Sequence, residues 1–234
     1  MPSSRTRSSR RQAGVSLVEL LIGITLGLFI VGAGLTMLVV HLRESRALIA
    51  QGRLMQDLRT ATDLIARDLR RAGYWSDAPA GVWPRDPTMR PGSVASNPYT
   101  AMAVTGTTTP VVSFRFSRDA VENNRVDDNE QFGYRLRDGA LEMQVGAARW
   151  QAMTDITSMK VTRLDIAPTE QVLDLDGSCQ APCPEHSTTC PPRQHVRSVT
   201  VTVSAQDVAN ATTERTVRTR VRVRNDEITG RCPV

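Results

Sequence analysis

Gly14-Val15-Ser16-Leu17-Val18-Glu19-Leu20-Leu21-Ile22 decides how the rest of the chain is read. Before it lies an Arg-rich leader, with Arg5, Arg7, Arg10 and Arg11 and no acid in residues 1–14. After it the apolar run continues to Val40, and Glu19 is the only charge between Val15 and Val40. At about 1.5 Å per residue a helix of that length exceeds the roughly 30 Å hydrocarbon core of a bilayer. A carboxylate within it is costly unless it meets a partner. Secretory signals carry shorter apolar regions followed by small residues at a cleavage site. Here His41-Leu42-Arg43-Glu44 follows, which argues against a cleaved secretory signal. The flanking arginines place residues 1–14 in the cytoplasm and the chain beyond residue 41 outside it.

The helical pattern continues past the membrane-length segment. Leu48, Met55, Leu58, Ile65, Leu69 and Ala72 fall at spacings of three, four or seven and form a narrow apolar stripe. Arg53 and Asp57, Arg59 and Asp63, and Asp63 and Arg67 are each four apart and can interact along a helix. Arg70 and Arg71 complement the negative end of a helix dipole, and Gly73 suits a left-handed cap. One helix is therefore expected from about Val15 to Ala72. Its first part, 15–40, would be the transmembrane or bundle-facing helix, and its second part, 41–73, would lay one face on a head formed by residues 74–234. Gly23 and Gly27 form a small-xxx-small pair that permits close helix packing.

The head reads as β-rich. Pro79, Pro84, Pro87, Pro91 and Pro98 punctuate an irregular stretch over 74–110, with Tyr74, Trp75 and Trp83 expected to pin it down. Val111, Val112, Phe114 and Phe116 signal a first strand. Residues 132–136 and 141–145 flank Asp138-Gly139, a strong hairpin turn. Ile156 to Leu164 reads as a further strand. Valines at 199, 201 and 203 and at 217, 221 and 223 alternate with polar residues, which predicts a hairpin with its loop near 205–215. The expected fold is α+β, a long N-terminal helix packed on an antiparallel sheet.

The leader's four arginines account for most of the +5 formal charge, so the remainder is nearly neutral and has no bulk affinity for polyanions. Nucleic acid is therefore not expected as a partner. No catalytic triad spacing, nucleophile elbow or phosphate loop is present; no enzymatic activity and no cofactor are expected. Asp119, Glu122, Asn123, Asn124, Asp127, Asp128, Asn129 and Glu130 are rich in oxygen ligands but lack the calcium-loop pattern, and read as a solvated loop. Cys179, Cys183, Cys190 and Cys232, with His186 and His195 nearby, do not match the usual zinc spacings. Outside the cytoplasm disulfides are expected instead. If strands 196–204 and 216–224 pair antiparallel, residue 232 runs back toward the segment before 196. That predicts Cys190 with Cys232 and Cys179 with Cys183. Arg218, Arg220, Arg222 and Arg224 alternate along one strand, either as a solvated face or as a ridge for an acidic ligand.

Gly14 followed by Val15-Ser16-Leu17-Val18-Glu19-Leu20 resembles the prepilin peptidase motif of the type IV pilin superfamily. The run Asp68-Leu69-Arg70-Arg71-Ala72-Gly73-Tyr74-Trp75 and the long head resemble the PilW-like minor pilins, and the absence of proline between Val15 and Ala78 sets the chain apart from many major pilins. The resemblance implies cleavage between Gly14 and Val15, N-methylation of Val15, and assembly through Glu19. The new α-amine, of reference pKa about 7.7–8.0, would be cationic at a helix N-terminus, where a carboxylate four residues on offers compensation. In a bundle, Glu19 of one subunit can instead meet the amine of its neighbour. Implied partners are the prepilin peptidase, other minor pilins and the major pilin, the inner-membrane pilus platform, and a tip adhesin where one exists. The implied location is the inner membrane, head in the periplasm, and then the pilus at the cell surface. A type II secretion pseudopilin shares this helix chemistry, and a membrane-anchored module for DNA or acidic ligands is the reading from another class.

Overall fold

The computed structural model describes residues 14–81, 95–106 and 109–233. The chain divides into two units, Met1–Ile49 and Ala50–Val234. Helix α1 runs from Leu17 to Arg71 and crosses that division. In the first unit every described residue from Gly14 to Ile49 is exposed. This part of α1 is long and apolar enough to cross a membrane.

In the second unit α1 buries Leu54, Leu58, Ala61, Thr62, Ile65, Ala66 and Leu69. The stripe expected from spacing holds from Leu58 onward. Its beginning differs: Leu48 is 68% exposed, Met55 is half-buried, and Leu54 takes the inward position. The helix ends where expected. Gly73 has φ of +74°, and its N–H donates to the Arg115 carbonyl at 2.8 Å. The helix terminus is thereby stitched to a strand, and its last turn is also closed locally by the Tyr74 N–H on the Arg71 carbonyl at 2.9 Å.

Among the described residues the head contains two antiparallel sheets where one was expected. The first has the order β1 (Ala103–Thr105), β2 (Val111–Arg115), β3 (Gln131–Arg137), β4 (Ala140–Val145) and β5 (Trp150–Ala152). Asp138 and Gly139, with φ of +52° and +82°, form the β3–β4 turn. Positive φ at both central positions matches the right-handed twist of the flanking strands. The second sheet has the order β6 (Met159–Asp174), β7 (Arg193–Asp207) and β8 (Glu214–Arg222), with β9 (Glu227–Thr229) also pairing with β7. Three elements, β1, β5 and β9, were not foreseen, and β6 starts later and runs ten residues past Leu164. Of the aromatics expected to pin 74–110, Trp75 is buried, Tyr74 is largely exposed and Trp83 lies outside the described residues.

One core joins these layers. Leu58, Ile65 and Leu69 of the helix meet Val112, Phe114, Tyr134 and Leu141 of the first sheet and Leu164, Ile166, Val199, Val201 and Val221 of the second. Phe116 and Phe132 stack with ring centroids 4.0 Å apart, and the Arg71 guanidinium lies 4.2 Å from the Phe116 ring centroid. Arg71 therefore does more than complement the helix dipole: its planar cation covers the aromatic edge of the core.

Candidate functional site

At the N-terminus, the Leu20 N–H donates to the Ser16 carbonyl at 3.0 Å. That bond makes Ser16 the helix N-cap and Glu19 the third helical residue. Ser16-Leu17-Val18-Glu19 thus has the Ser-x-x-Glu spacing of a capping box. The Glu19 carboxylate belongs to the turn whose free N–H groups carry the positive end of the dipole. Gly14, Val15 and Glu19 are all exposed. The sequence places an acid, an unpaired helix terminus and the expected cleavage junction within six residues. The leader before Gly14 lies outside the described residues.

The cysteines pair differently from expectation. Cys179 bonds to Cys232 and Cys183 to Cys190. The physical reason is the length of β6. Its pairing with β7 continues to Asp174 opposite Arg193, and the Leu175 N–H donates to the Pro192 carbonyl. This delivers Cys179 to the end of the sheet that Cys232 also reaches through β9, while Cys190 closes on a cysteine seven residues away. With all four sulfurs bonded, this cluster offers no thiolate to a metal. His195 lies between the Glu170 carboxylate, 3.2 Å from Nδ1, and the Thr229 hydroxyl, 2.9 Å from Nε2.

The oxygen-rich loop is not simply solvated. Glu130 is fully buried. Its carboxylate accepts the Arg118 N–H at 2.8 Å, the Asp127 N–H at 2.9 Å and the Tyr99 hydroxyl at 3.1 Å. Tyr99, also fully buried, donates within reach of Glu122 at 2.9 Å. Burial first, and then its two carboxylate neighbours, push the Tyr99 pKa up. Burial works to raise the Glu122 pKa, but hydrogen bonds from Ser117, Ser76, the Asn124 amide and Tyr99 together bring it down to about 2. Trp75 Nε1 donates to Asn124 Oδ1 at 2.7 Å, which ties this loop to the end of α1. Asp119, Asp127 and Glu130 each bring a carboxylate oxygen within 4.8 Å of the others. Burial and then the charges of Glu130, Asp127 and Glu122 raise the Asp119 pKa. The loop's acids are thus committed largely to bonding the loop's own backbone. Tyr99 was missed and Glu130 was read as solvated, because composition does not reveal which carboxylate turns inward.

Arg218, Arg220 and Arg222 are exposed on β8 as the alternation predicts. β8 ends at Arg222, but the alternation continues through buried Val223 to exposed Arg224, whose N–H donates to the Arg70 carbonyl at the end of α1. Arg222 is ion-paired with Asp226 at 2.8 Å.

No curated protein and no solved structure matches the chain significantly. The family described as prepilin peptidase-dependent protein B matches residues 47–223, which takes in the buried half of α1 and eight of the nine strands. Gly14 to Glu19 lies outside that match. The chain belongs to the family of prepilin peptidase-dependent protein B.

Proposed function

We propose that the protein is a minor pilin of a type IV pilus, PilW-like, cleaved between Gly14 and Val15 and methylated on Val15. It enters the filament through its N-terminal helix and joins other minor pilins in a priming complex at the tip. The observation that carries this reading is the exposed apolar stretch of α1 with Glu19 in its first turn, on a chain whose head belongs to a peptidase-dependent family. In lipid, the Glu19 carboxylate and the ammonium of a neighbouring Val15 each remove the other's cost of desolvation. Because the acid lies four residues from the terminus, such pairing fixes the axial stagger between adjacent subunits. Before assembly the same helix anchors the head on the periplasmic side of the inner membrane.

The test is N-terminal sequencing and intact mass of the protein recovered from cells with an active prepilin peptidase. A chain beginning at methylated Val15 is expected. A chain retaining its arginine leader would overturn the proposal.

A further inference from the structure

Among the described residues, β8 forms one edge of the second sheet. The Val223 N–H donates to the Arg197 carbonyl of β7 at 3.0 Å. In an antiparallel ladder both backbone groups of a residue face the same neighbour, and successive residues alternate sides. Val221, Thr219 and Val217 therefore turn their backbones toward β7, with which they pair. Arg218, Arg220 and Arg222 turn theirs outward. Arg224 continues the outward row, and there the N–H is taken by the Arg70 carbonyl at 3.1 Å. Among the described residues β8 has a single strand neighbour. Arg218, Arg220 and Arg222 thus combine outward N–H and C=O groups with exposed guanidinium groups.

The charge of that row is poorly compensated. Opposite Arg222, Arg220 and Arg218 on β7 stand Ser198, Thr200 and Thr202, which are neutral. Asp226 answers Arg222 alone. Among the described residues, Arg218 and Arg220 have no ion-pair partner. Charged edges normally deter pairing, and this one deters a second copy in particular, since β8 against β8 would set arginine opposite arginine. None of the described strands carries acids at three alternate positions, so the complement is not found in this chain. A polynucleotide fits less well. β6, β7 and β8 contain no Phe, Tyr or Trp on which bases could stack, and the outward carbonyls would face phosphate oxygens.

We propose that β8 is a docking edge for an extended segment of a different protein, one that carries Asp or Glu at alternate positions. The segment adds as a further strand: its backbone pairs with Arg218, Arg220 and Arg222, and its acids lie directly across from their side chains.

The experiment uses the full chain in detergent micelles and a fluorescent peptide alternating Glu with Thr and Val. Binding is read by anisotropy, and amide hydrogen exchange is followed across β8. The alternating peptide is expected to bind and to slow exchange across β8. Joint Arg218→Ser and Arg220→Ser substitution is expected to weaken it about tenfold, while Lys at both positions largely preserves it. The same peptide N-methylated on the amides facing β8 is expected not to bind, a result that does not depend on any variant folding. The proposal is overturned if the alternating peptide fails to bind. It is equally overturned if the N-methylated peptide, or one with its glutamates in a block, binds as well. Tighter binding of a single-stranded oligonucleotide would assign the ridge to nucleic acid instead.

Discussion

The Tyr134 hydroxyl donates to Asp68 Oδ2 at 2.5 Å, joining the middle of β3 to the last turns of α1 across the core. Tyr134 is fully buried, and burial, followed by the hydrogen bond to Asp68 and then its charge, raises its pKa, so the phenol stays protonated and remains a donor. Asp68 opens the run Asp68–Trp75, whose other members end the helix and enter the loop.

Tyr134→Phe removes this bond and leaves Asp68 to water. A cost of about 1 kcal/mol is expected, or a fall in Tm of about 2–4 °C for a head of this size. Asp68→Ala should cost more, because it strands a buried hydroxyl. Thermal unfolding of both variants checks the order; an unchanged Tm for Tyr134→Phe would show that the bond does not hold sheet to helix.

Two glycines of the same helix predict opposite signs. Gly73 has φ of +74°, and an added Cβ would lie 3.2 Å from Arg197 Nη2. That guanidinium donates to the Thr100 carbonyl through Nη1 at 2.6 Å, so it cannot retreat freely. Gly73→Ala should destabilise by about 1–2 kcal/mol. Gly52 is exposed within the helix, and an added Cβ meets nothing within 4 Å. Gly52→Ala should stabilise by about 0.8–1 kcal/mol. Denaturant midpoints of the two variants on either side of the parent are the expected result.

What could be read in advance follows from where burial imposes a pattern. The helix from Leu58, the β3–β4 turn and the β7–β8 pair were legible, because each has one buried face and a fixed period. β6 beyond Ile166 was not. Residues 167–174 are exposed, so no apolar alternation marks them, and only their pairing with β7 holds them. That missing half-strand is also why the disulfide partners were misassigned. Glu130 was read as solvated because two of the three donors that hold it inward, the Tyr99 hydroxyl and the Arg118 N–H, are distant in sequence.

The acidic loop predicts a pH dependence. In the fold the Glu122 pKa is lowered from 4.5 to about 2. A lowered carboxylate pKa means that folding favours the charged form. Its contribution is complete above about pH 4.5 and is lost as the pH falls toward 2. Glu122→Gln should therefore narrow its stability deficit against the parent between pH 5 and pH 2. Paired denaturation curves at stepped pH measure this; a constant deficit would mean that the carboxylate charge is not what the loop uses.

The two disulfides should contribute unequally. Cys179–Cys232 spans a separation of 53 residues and Cys183–Cys190 a separation of 7. Loop-closure entropy assigns about 4 kcal/mol to the longer and about 2 kcal/mol to the shorter. Replacing Cys179 and Cys232 by Ser should lower the denaturation midpoint more than replacing Cys183 and Cys190. Non-reducing peptide mapping should recover a fragment joining Cys179 to Cys232. Recovery of Cys190 joined to Cys232 would restore the connectivity expected from the hairpin alone.

On the proposed function, Glu19→Ala should separate processing from assembly. The Gly14–Val15 junction keeps its flanking residues, so the leader should still be removed. The new ammonium then has no acid to meet when the helix enters the shaft. An uncompensated charge in the bilayer interior costs at least about 2.5–3.5 kcal/mol, which converts to roughly a hundredfold loss of incorporation. Glu19→Gln keeps the side chain's size and hydrogen-bonding capacity but not its charge, and should fail in the same way. Quantifying the protein in sheared filaments, with N-terminal sequencing of the membrane fraction, reads both steps. Normal incorporation of Glu19→Gln would show that polarity rather than charge seats the helix, and the stagger would then have to come from packing at Gly23 and Gly27.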